Sequence, residues 1–176
     1  MKGRLPKTTR PTTSRAREAL FNLLQSRVEL NDAACLELYA GTGAVAVECA
    51  ERGARIVHAV EIHRSLARQI EQKLVRYDGI EIRVFAVDAR EFLRRPPRRY
   101  DFIFADPPYA AADKQILATD GVRLLTDEGR FVLEHPFYEA YEHVPGFIES
   151  RRYGLAVFSF FRRPTQTPTA EKDVLT

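Results

Sequence analysis

Short apolar runs alternate along this chain with segments of helical periodicity, and this rhythm constrains the fold more than any other feature. The apolar runs predict strands at 35–39, 56–60, 82–87, 102–105, 130–134 and 155–161. The other segments predict helices at 13–24, 44–52, 64–76 and 114–125, with a short basic helix that ends before the prolines at 96–97. Such alternation favours right-handed crossovers and a mainly parallel sheet with helices on both faces. Because no clear helix precedes 155–161, we expect an antiparallel hairpin at one edge.

The chain length of 176 residues suits a single domain. Hydrophobic residues make up 45% and charged residues 29%, a balance typical of globular proteins and not of disordered ones. These values exclude a two-domain enzyme, a collagen-like fibre and a disulfide-stapled mini-protein. We divide the chain into a basic extension with a helix at 1–27, a main α/β domain at 28–163 and a polar tail at 164–176, which we expect to be flexible.

Cysteine usage and the N-terminal composition indicate a cytoplasmic protein. Cys35 and Cys49 lie in apolar segments without a CxxC pair, so we expect two buried free thiols in a reducing compartment. The N-terminal segment lacks the apolar stretch of a signal peptide, and the sequence contains no run of eighteen apolar residues, so we expect no contact with a membrane. The four histidines show no metal-ligand spacing, and we expect no metal. We expect a monomer.

The small net charge of +3 conceals three basic clusters. Residues 1–27 contain seven basic side chains and one acidic side chain, and further arginines are concentrated at 90–99 and 151–163. A solvated surface explains any one cluster, but three together favour a nucleic-acid partner. Arginine is well suited to that partner because its planar fork binds phosphate in a bidentate manner and stacks on bases.

A glycine-rich turn follows the first predicted strand. Gly41 and Gly43 allow the backbone to pass close to a ligand, although a tight turn from strand to helix needs glycine for purely structural reasons as well. Glu61 ends the second strand, where a carboxylate can accept hydrogen bonds from ribose hydroxyls. Asp88 ends the third strand and either meets an adenine amino group or caps the next helix. Three polar strand ends in one crevice predict an adenosine-containing cofactor, either a dinucleotide or S-adenosylmethionine.

The segment Asp106-Pro107-Pro108-Tyr109 decides between these cofactors. The amine of a nucleobase is a poor nucleophile because its lone pair is delocalised into the ring. The Asp106 carboxylate and the Pro107 carbonyl can each accept one N–H of that amine, and the prolines fix the backbone. Tyr109 can stack on the base. Methyl transfer needs this constellation, whereas hydride transfer does not. Glu134-His135-Pro136 ends the fifth strand, but strand-end polarity explains it equally well, so we do not assign it to the site.

Three segments resemble known methyltransferase motifs. Residues 36–44 (LELYAGTGA) and 106–109 (DPPY) resemble motifs I and IV of class I amino-methyltransferases. Residues 10–24 (RPTTSRAREALFNLL) resemble the opening of the bacterial 16S ribosomal RNA guanine-N2 methyltransferases of the RsmD type, and this resemblance extends from about residue 2 to residue 161. It implies the class I methyltransferase (Rossmann-like) three-layer α/β sandwich, with a seven-stranded, mostly parallel sheet and an antiparallel last strand.

The resemblance also implies S-adenosylmethionine as the methyl donor and a guanine of 16S ribosomal RNA, free or in the assembling small subunit, as the acceptor. The residues expected to bind the cofactor are Glu37, Ala40, Gly41, Thr42, Gly43, Glu61, Asp88 and Ala89. Catalysis is assigned to Asp106, Pro107, Pro108 and Tyr109, and phosphate binding to Arg4, Lys7, Arg10 and Arg15. Tyr109 suits adenine-N6 enzymes as well, so a DNA or RNA adenine-N6 methyltransferase is an alternative. A second alternative is an inactive module that only binds S-adenosylmethionine.

Overall fold

A computed structural model describes residues 14–108 and 114–164, with Ser14 and Arg15 described by their backbone alone. The helices are α1 (Ser14–Leu24), α2 (Ala44–Glu51), α3 (Arg64–Leu74), α4 (Ala89–Arg94) and α5 (Lys114–Arg123). The strands are β1 (Ala34–Leu38), β2 (Ile56–Val60), β3 (Glu81–Phe85), β4 (Tyr100–Ala105), β5 (Leu125–Pro136), β6 (Phe147–Tyr153) and β7 (Ala156–Phe161). The elements alternate as the sequence predicts.

The seven strands form one sheet in the order β3-β2-β1-β4-β5-β7-β6. Strands β1 to β5 pair in parallel, whereas β7 is antiparallel to both β5 and β6. The predicted class I methyltransferase sheet with its reversed last strand is therefore confirmed. Strand order reverses between β1 and β4, and in open α/β sheets ligands bind beyond the carboxyl ends of the strands at such a point.

Both faces of the sheet are covered. Strands β1 and β2 are buried along their whole length, which explains why they appear in the sequence as continuous apolar runs. Helix α1 contributes Leu20, Phe21 and Leu24, all fully buried, and the Phe21 ring meets Phe102 of β4 edge-on at 6.2 Å. Each such side chain stabilises the fold by about 1.5–3 kcal/mol. Helix α1 therefore belongs to the same core as the sheet, and our division at residue 27 remains a prediction.

Most strands lie within two residues of their predicted bounds, and the largest differences concern β5 and β6. β5 begins at Leu125, well before the predicted start, because Leu125 pairs with Tyr100 ahead of a register shift in the ladder. The polar residues at 126–130 have the composition of a turn, so their place in β5 becomes visible only in the pairing of β5 with β4. β6 pairs with β7 and completes the antiparallel hairpin expected at one edge of the sheet. The sequence predicts no bounds for β6, since this edge strand is exposed at most positions and lacks an apolar run.

The two cysteines are free and buried, as predicted, and burial raises the pKa of the Cys49 thiol. Among residues 14–108 and 114–164, no helix is long and apolar enough to cross a membrane.

Candidate active site

The carboxyl ends of β3, β2, β1 and β4 lie side by side along one edge of the sheet. The register pairs Leu38 with Val60 and with Ala105, and Val60 with Phe85. The segments that follow these four residues therefore meet at the same edge. They carry the glycine turn, Glu61, Asp88 and the Asp106 turn, so the predicted site residues are brought together at the point where strand order reverses.

The glycine turn is built from left-handed backbone. Tyr39, Gly41 and Gly43 have φ values of 56°, 54° and 72°. A Cβ on Gly43 would lie 2.8 Å from the Ile70 side chain, so glycine is required there both by its φ and by the approach of helix α3. A Cβ on Gly41 would find only the Tyr39 carbonyl oxygen, at 3.9 Å. The backbone at Gly41 is therefore open to close approach by a ligand.

Glu61 is 6% exposed and hydrogen-bonds to the backbone on both sides. One carboxylate oxygen accepts from Gly41 N–H and the other from His63 N–H, both at 2.8 Å. These bonds tie the end of β2 to the glycine turn. Each carboxylate oxygen has a further lone pair that can accept a hydroxyl proton, so the group fits a ribose diol.

Glu37, near the end of β1, faces the start of helix α2. Its carboxylate accepts hydrogen bonds from Val45 N–H at 3.3 Å and from Ala46 N–H at 2.8 Å. A negative charge at a helix N-terminus is favourable, but burial dominates and raises the pKa of Glu37 to about 7. Glu37 thus fixes the start of helix α2 and, through it, the end of the glycine turn.

Asp88 caps helix α4, which confirms one of the two interpretations that the sequence left open. Its side chain accepts a hydrogen bond from Arg90 N–H at 2.8 Å. Ala89, the first residue of the helix, is buried. The nearby charge of Asp88 adds to burial in raising the pKa of the Tyr39 hydroxyl. Contact between Asp88 and an adenine amino group remains a prediction.

Asp106 and the two prolines extend β4 beyond the edge of the sheet. Asp106 is half-buried, Pro107 is buried and Pro108 is exposed. Burial, and then the charges of Glu134 and Glu37, raise the pKa of Asp106 to about 8, while Lys114 acts in the opposite direction. Asp106 therefore exchanges its proton near neutral pH, which is uncommon for an aspartate and typical of functional sites. Tyr109 lies outside the described residues.

Two charged residues near Asp106 were not assigned to the site from the sequence. Glu134 follows Leu133, which pairs with Ala105, so Glu134 is level with Asp106 on the neighbouring strand. Its position at a strand end was visible in the sequence. Lys114 is 7% exposed, and its ammonium group donates to Glu139 at 2.5 Å. No sequence pattern joins Lys114 to Asp106, because only the packing of α5 against β5 brings the two residues together.

The basic N-terminal residues are largely beyond the described part of the chain. Arg4, Lys7 and Arg10 lie outside the described residues, as does the side chain of Arg15. The nearby Arg17 lowers the pKa of Glu37 through its charge, so helix α1 extends close to the site. Within residues 14–108 and 114–164, no group of three or more acidic, histidine or cysteine side chains could hold a metal ion.

Comparison with known proteins gives a consistent result. The family model "Conserved hypothetical protein 95" matches residues 2–162. The Escherichia coli K12 protein named ribosomal RNA small subunit methyltransferase D is 33% identical over 120 residues, which cover 68% of this chain and 58% of that protein. The chain therefore matches little more than half the length of this relative. The Bacillus subtilis protein named "Putative rRNA methyltransferase YlbH" is 27% identical over 168 residues, 89% of each chain.

The solved structures agree with the fold. A hypothetical protein of Thermus thermophilus superimposes with a TM-score of 0.72 at 30% identity, covering 92% of this chain and 93% of that one. The family match over residues 2–162 establishes the relationship that residues 10–24, 36–44 and 106–109 suggested. The chain belongs to the Conserved hypothetical protein 95 family, which is the RsmD family.

Proposed function

We propose that this protein transfers a methyl group from S-adenosylmethionine to the exocyclic N2 amine of a guanine in 16S ribosomal RNA. The observation that carries the proposal is the adjacency of two turns, the glycine turn after β1 and the Asp106 turn after β4, whose strands pair directly. The first suits an adenosine-containing donor and the second an exocyclic amine. The name of the Escherichia coli relative supports ribosomal RNA as the acceptor.

The residues at the first three strand ends fit the donor. The backbone at Gly41 is open to a ligand, and the Glu61 carboxylate has further lone pairs that can accept from the ribose hydroxyls. Asp88 lies at the end of the next strand along the edge, where we expect the adenine of the same ligand. Ala40, Thr42, Gly43 and Ala89 are proposed to line the rest of the cofactor site, and Glu37 holds the glycine turn in place through its hydrogen bonds to helix α2. When bound, S-adenosylmethionine supplies an electrophilic methyl group on a sulfonium cation.

Asp106 and Pro107 would orient the amine for attack. The ionised Asp106 carboxylate accepts one N–H, and the Pro107 carbonyl accepts the other, which turns the nitrogen lone pair toward the methyl group. Pro107 and Pro108 fix their own φ angles and bring no backbone N–H that would compete for the carboxylate. Tyr109 is proposed to stack on the base. As the bond between nitrogen and methyl forms, the bond between methyl and sulfur would break, and the nitrogen would release one proton to the Asp106 carboxylate. Asp106 also stabilises the positive charge that develops on the nitrogen.

The basic N-terminal segment at 1–27 is proposed to bind the RNA backbone through Arg4, Lys7, Arg10 and Arg15. The substrate is either 16S ribosomal RNA or the assembling small subunit, and the protein acts as a cytoplasmic monomer. Phosphate binding releases counterions, so RNA affinity should fall steeply as salt concentration rises.

Methyl transfer from labelled S-adenosylmethionine tests the proposal directly. Small-subunit RNA and particles from cells that lack this protein serve as substrates, and nucleoside analysis identifies the product. We expect N2-methylguanosine at one position. Formation of N6-methyladenosine, or transfer to DNA in place of RNA, would establish the alternative enzyme, and no transfer to any of these substrates would leave a binding module.

Asp106→Ala separates catalysis from cofactor binding. Removing the group that orients the amine should lower turnover about 100-fold or more, because general-base and electrostatic contacts are worth about that much. Affinity for S-adenosylmethionine, measured by calorimetry, should change by about twofold at most. Asp127→Ala is the matched control, since Asp127 is 87% exposed and pairs with Arg163 away from the carboxyl edge of the sheet. Equal turnover in the two variants would contradict the role of Asp106.

A further inference from the structure

An exposed group of aromatic and basic side chains lies at the end of β5. Phe137 and Tyr138 follow the last residue of that strand and are 52% and 70% exposed, with their rings edge-on at 5.6 Å. The Arg152 guanidinium lies over the Phe137 ring at 4.7 Å. Leu155, in the turn between β6 and β7, is 56% exposed. We call these four residues the aromatic–arginine patch.

The patch lies on the same edge of the sheet as Asp106. Ala105 pairs with Leu133, so β4 and β5 reach this edge together, and Phe137 comes directly after Pro136. Pro136 pairs with Ala156, which brings the β6–β7 turn to the same place. The patch therefore continues the edge from the Asp106 turn, on the side away from the cofactor residues.

The segment that follows the patch is held firmly. The Glu139 carboxylate accepts from the Lys114 ammonium at 2.5 Å and from the Tyr141 hydroxyl at 2.7 Å. Tyr141 is 3% exposed and packs on the buried His135 ring at 4.6 Å. Arg152 is also fixed, because its Nε donates to the Gly154 carbonyl at 2.9 Å. The two exposed rings thus project from a rigid base, which lowers the entropy lost when a ligand stacks on them.

The chemistry of the patch suits unpaired bases. Base recognition in single-stranded RNA relies on aromatic rings and guanidinium planes, which stack on any base. An exposed apolar residue such as Val75 needs no explanation alone, but here two aromatic rings, an arginine and the catalytic edge coincide.

We propose that the aromatic–arginine patch binds the unpaired nucleotides that flank the target base, by stacking on Phe137 and Tyr138. The proposal rests on the function proposed above. A target amine can reach Asp106 only when its base is unstacked from its neighbours, and the patch offers those neighbours a replacement surface. It therefore predicts a preference for single-stranded or looped RNA over duplex RNA.

Binding of short RNA by the full-length protein tests this proposal. The probe is a 12-nucleotide single-stranded RNA with 2-aminopurine in its centre, whose fluorescence is quenched by stacking, and a duplex of the same strand is the comparison. The double variant F137A/Y138A should weaken single-strand binding at least about 10-fold and abolish the quenching, as expected from the loss of base–aromatic stacking. The swapped variant F137Y/Y138F keeps both rings and should bind like the wild type.

Val75→Ala is the matched control, because Val75 is 74% exposed and follows α3 at the other end of that helix from the site. Unchanged affinity in F137A/Y138A, equal binding of duplex and single strand, or no RNA binding by the wild type would each overturn the proposal. Self-association that only the double variant loses would overturn it too, by assigning the patch to a protein contact. The binding assay needs no methyl transfer, so a failure of the proposed enzymatic function is seen separately. If F137A/Y138A methylates RNA with an unchanged KM for RNA, the proposal for the aromatic–arginine patch is overturned and the proposed enzymatic function is not.

Discussion

The turns after β1 and after β4 lie on adjacent strands, yet their polar groups are used in opposite ways. In the glycine turn, Glu61 and Glu37 each accept two backbone N–H groups, and the Lys73 ammonium donates to the Thr42 carbonyl at 2.6 Å. Acidic side chains here hold the backbone in a shape that its positive φ angles would otherwise disfavour.

In the Asp106 turn the carboxyl group faces other carboxyl groups. Burial opposes its ionisation most strongly, and the charges of Glu134 and Glu37 oppose it further. The prolines fix the backbone covalently, so Asp106 is not needed to hold the turn and remains available for chemistry. One turn therefore uses its acidic groups for rigidity, while the other keeps its acidic group reactive at a cost in stability.

The largest expected effect comes from Gly43→Ala. The new Cβ would lie 2.8 Å from Ile70 at a φ of 72°, so the free energy of unfolding should fall by about 3 kcal/mol. Gly79→Ala is the control, because Gly79 has a φ of 77° but no neighbour within 4 Å, and it should lose only about 1 kcal/mol from backbone strain. Urea denaturation measures both. Equal losses of unfolding free energy in Gly43→Ala and Gly79→Ala would mean that helix α3 does not constrain the glycine turn.

A smaller effect is expected from Glu61→Gln. The amide keeps one acceptor oxygen and places an NH₂ group against a backbone N–H, which costs about 2 kcal/mol of unfolding free energy. Affinity for S-adenosylmethionine should fall as well, because the turn loosens and the ribose loses a charged acceptor. Thermal denaturation and calorimetry test the two consequences. A variant that keeps full stability would contradict the bracing role of Glu61.

The smallest effect is a pH dependence that separates the two turns. The pKa of Asp106 is about 8 in the folded protein and near its ordinary value of 3.8 in the unfolded chain. Between those values the folded state holds a proton that the unfolded state has released, so stability falls as pH rises from about 4 to about 8. Asp106→Asn removes this loss and should stabilise the protein at pH 9. Because solvent screens the partly exposed Asp106 carboxyl group, we expect only about 1 kcal/mol of this effect, or about 2–4 °C in Tm.

At about pH 3 the Asp106→Asn variant and the wild type should unfold at similar temperatures, because the Asp106 carboxyl group is then largely protonated in both the folded and the unfolded chain. Stability of the wild type falls as pH rises, but its rate of methyl transfer should increase with pH through about 8. The reason is that only the ionised Asp106 carboxylate can accept the proton of the amine. Parallel Tm curves for the two proteins between pH 3 and pH 9 would show that Asp106 is not held at a raised pKa.

Much of the fold follows from local sequence signals. The fully buried strands β1 and β2 and the largely buried β4 are apolar runs, and Gly53 and the prolines at 96–97 mark the ends of helices, so the alternation was predictable. β6 was not, because an edge strand with one partner needs no apolar run. The early start of β5 also escaped prediction, since its polar residues pair only because Tyr100 of β4 lies beside them.

The candidate active site, like the fold, is predictable from the sequence only in part. The sequence by itself determined that a glycine turn, Glu61, Asp88 and Asp106 end successive strands, because the order of elements and the parallel crossovers bring those ends to one edge. Only the tertiary structure decided what each acidic group does there. Hydrogen-bond partners and burial depend on packing between distant segments, and no local pattern encodes them. Burial, with smaller contributions from the charges of Glu134, Glu37 and Lys114, sets the ionisation of Asp106.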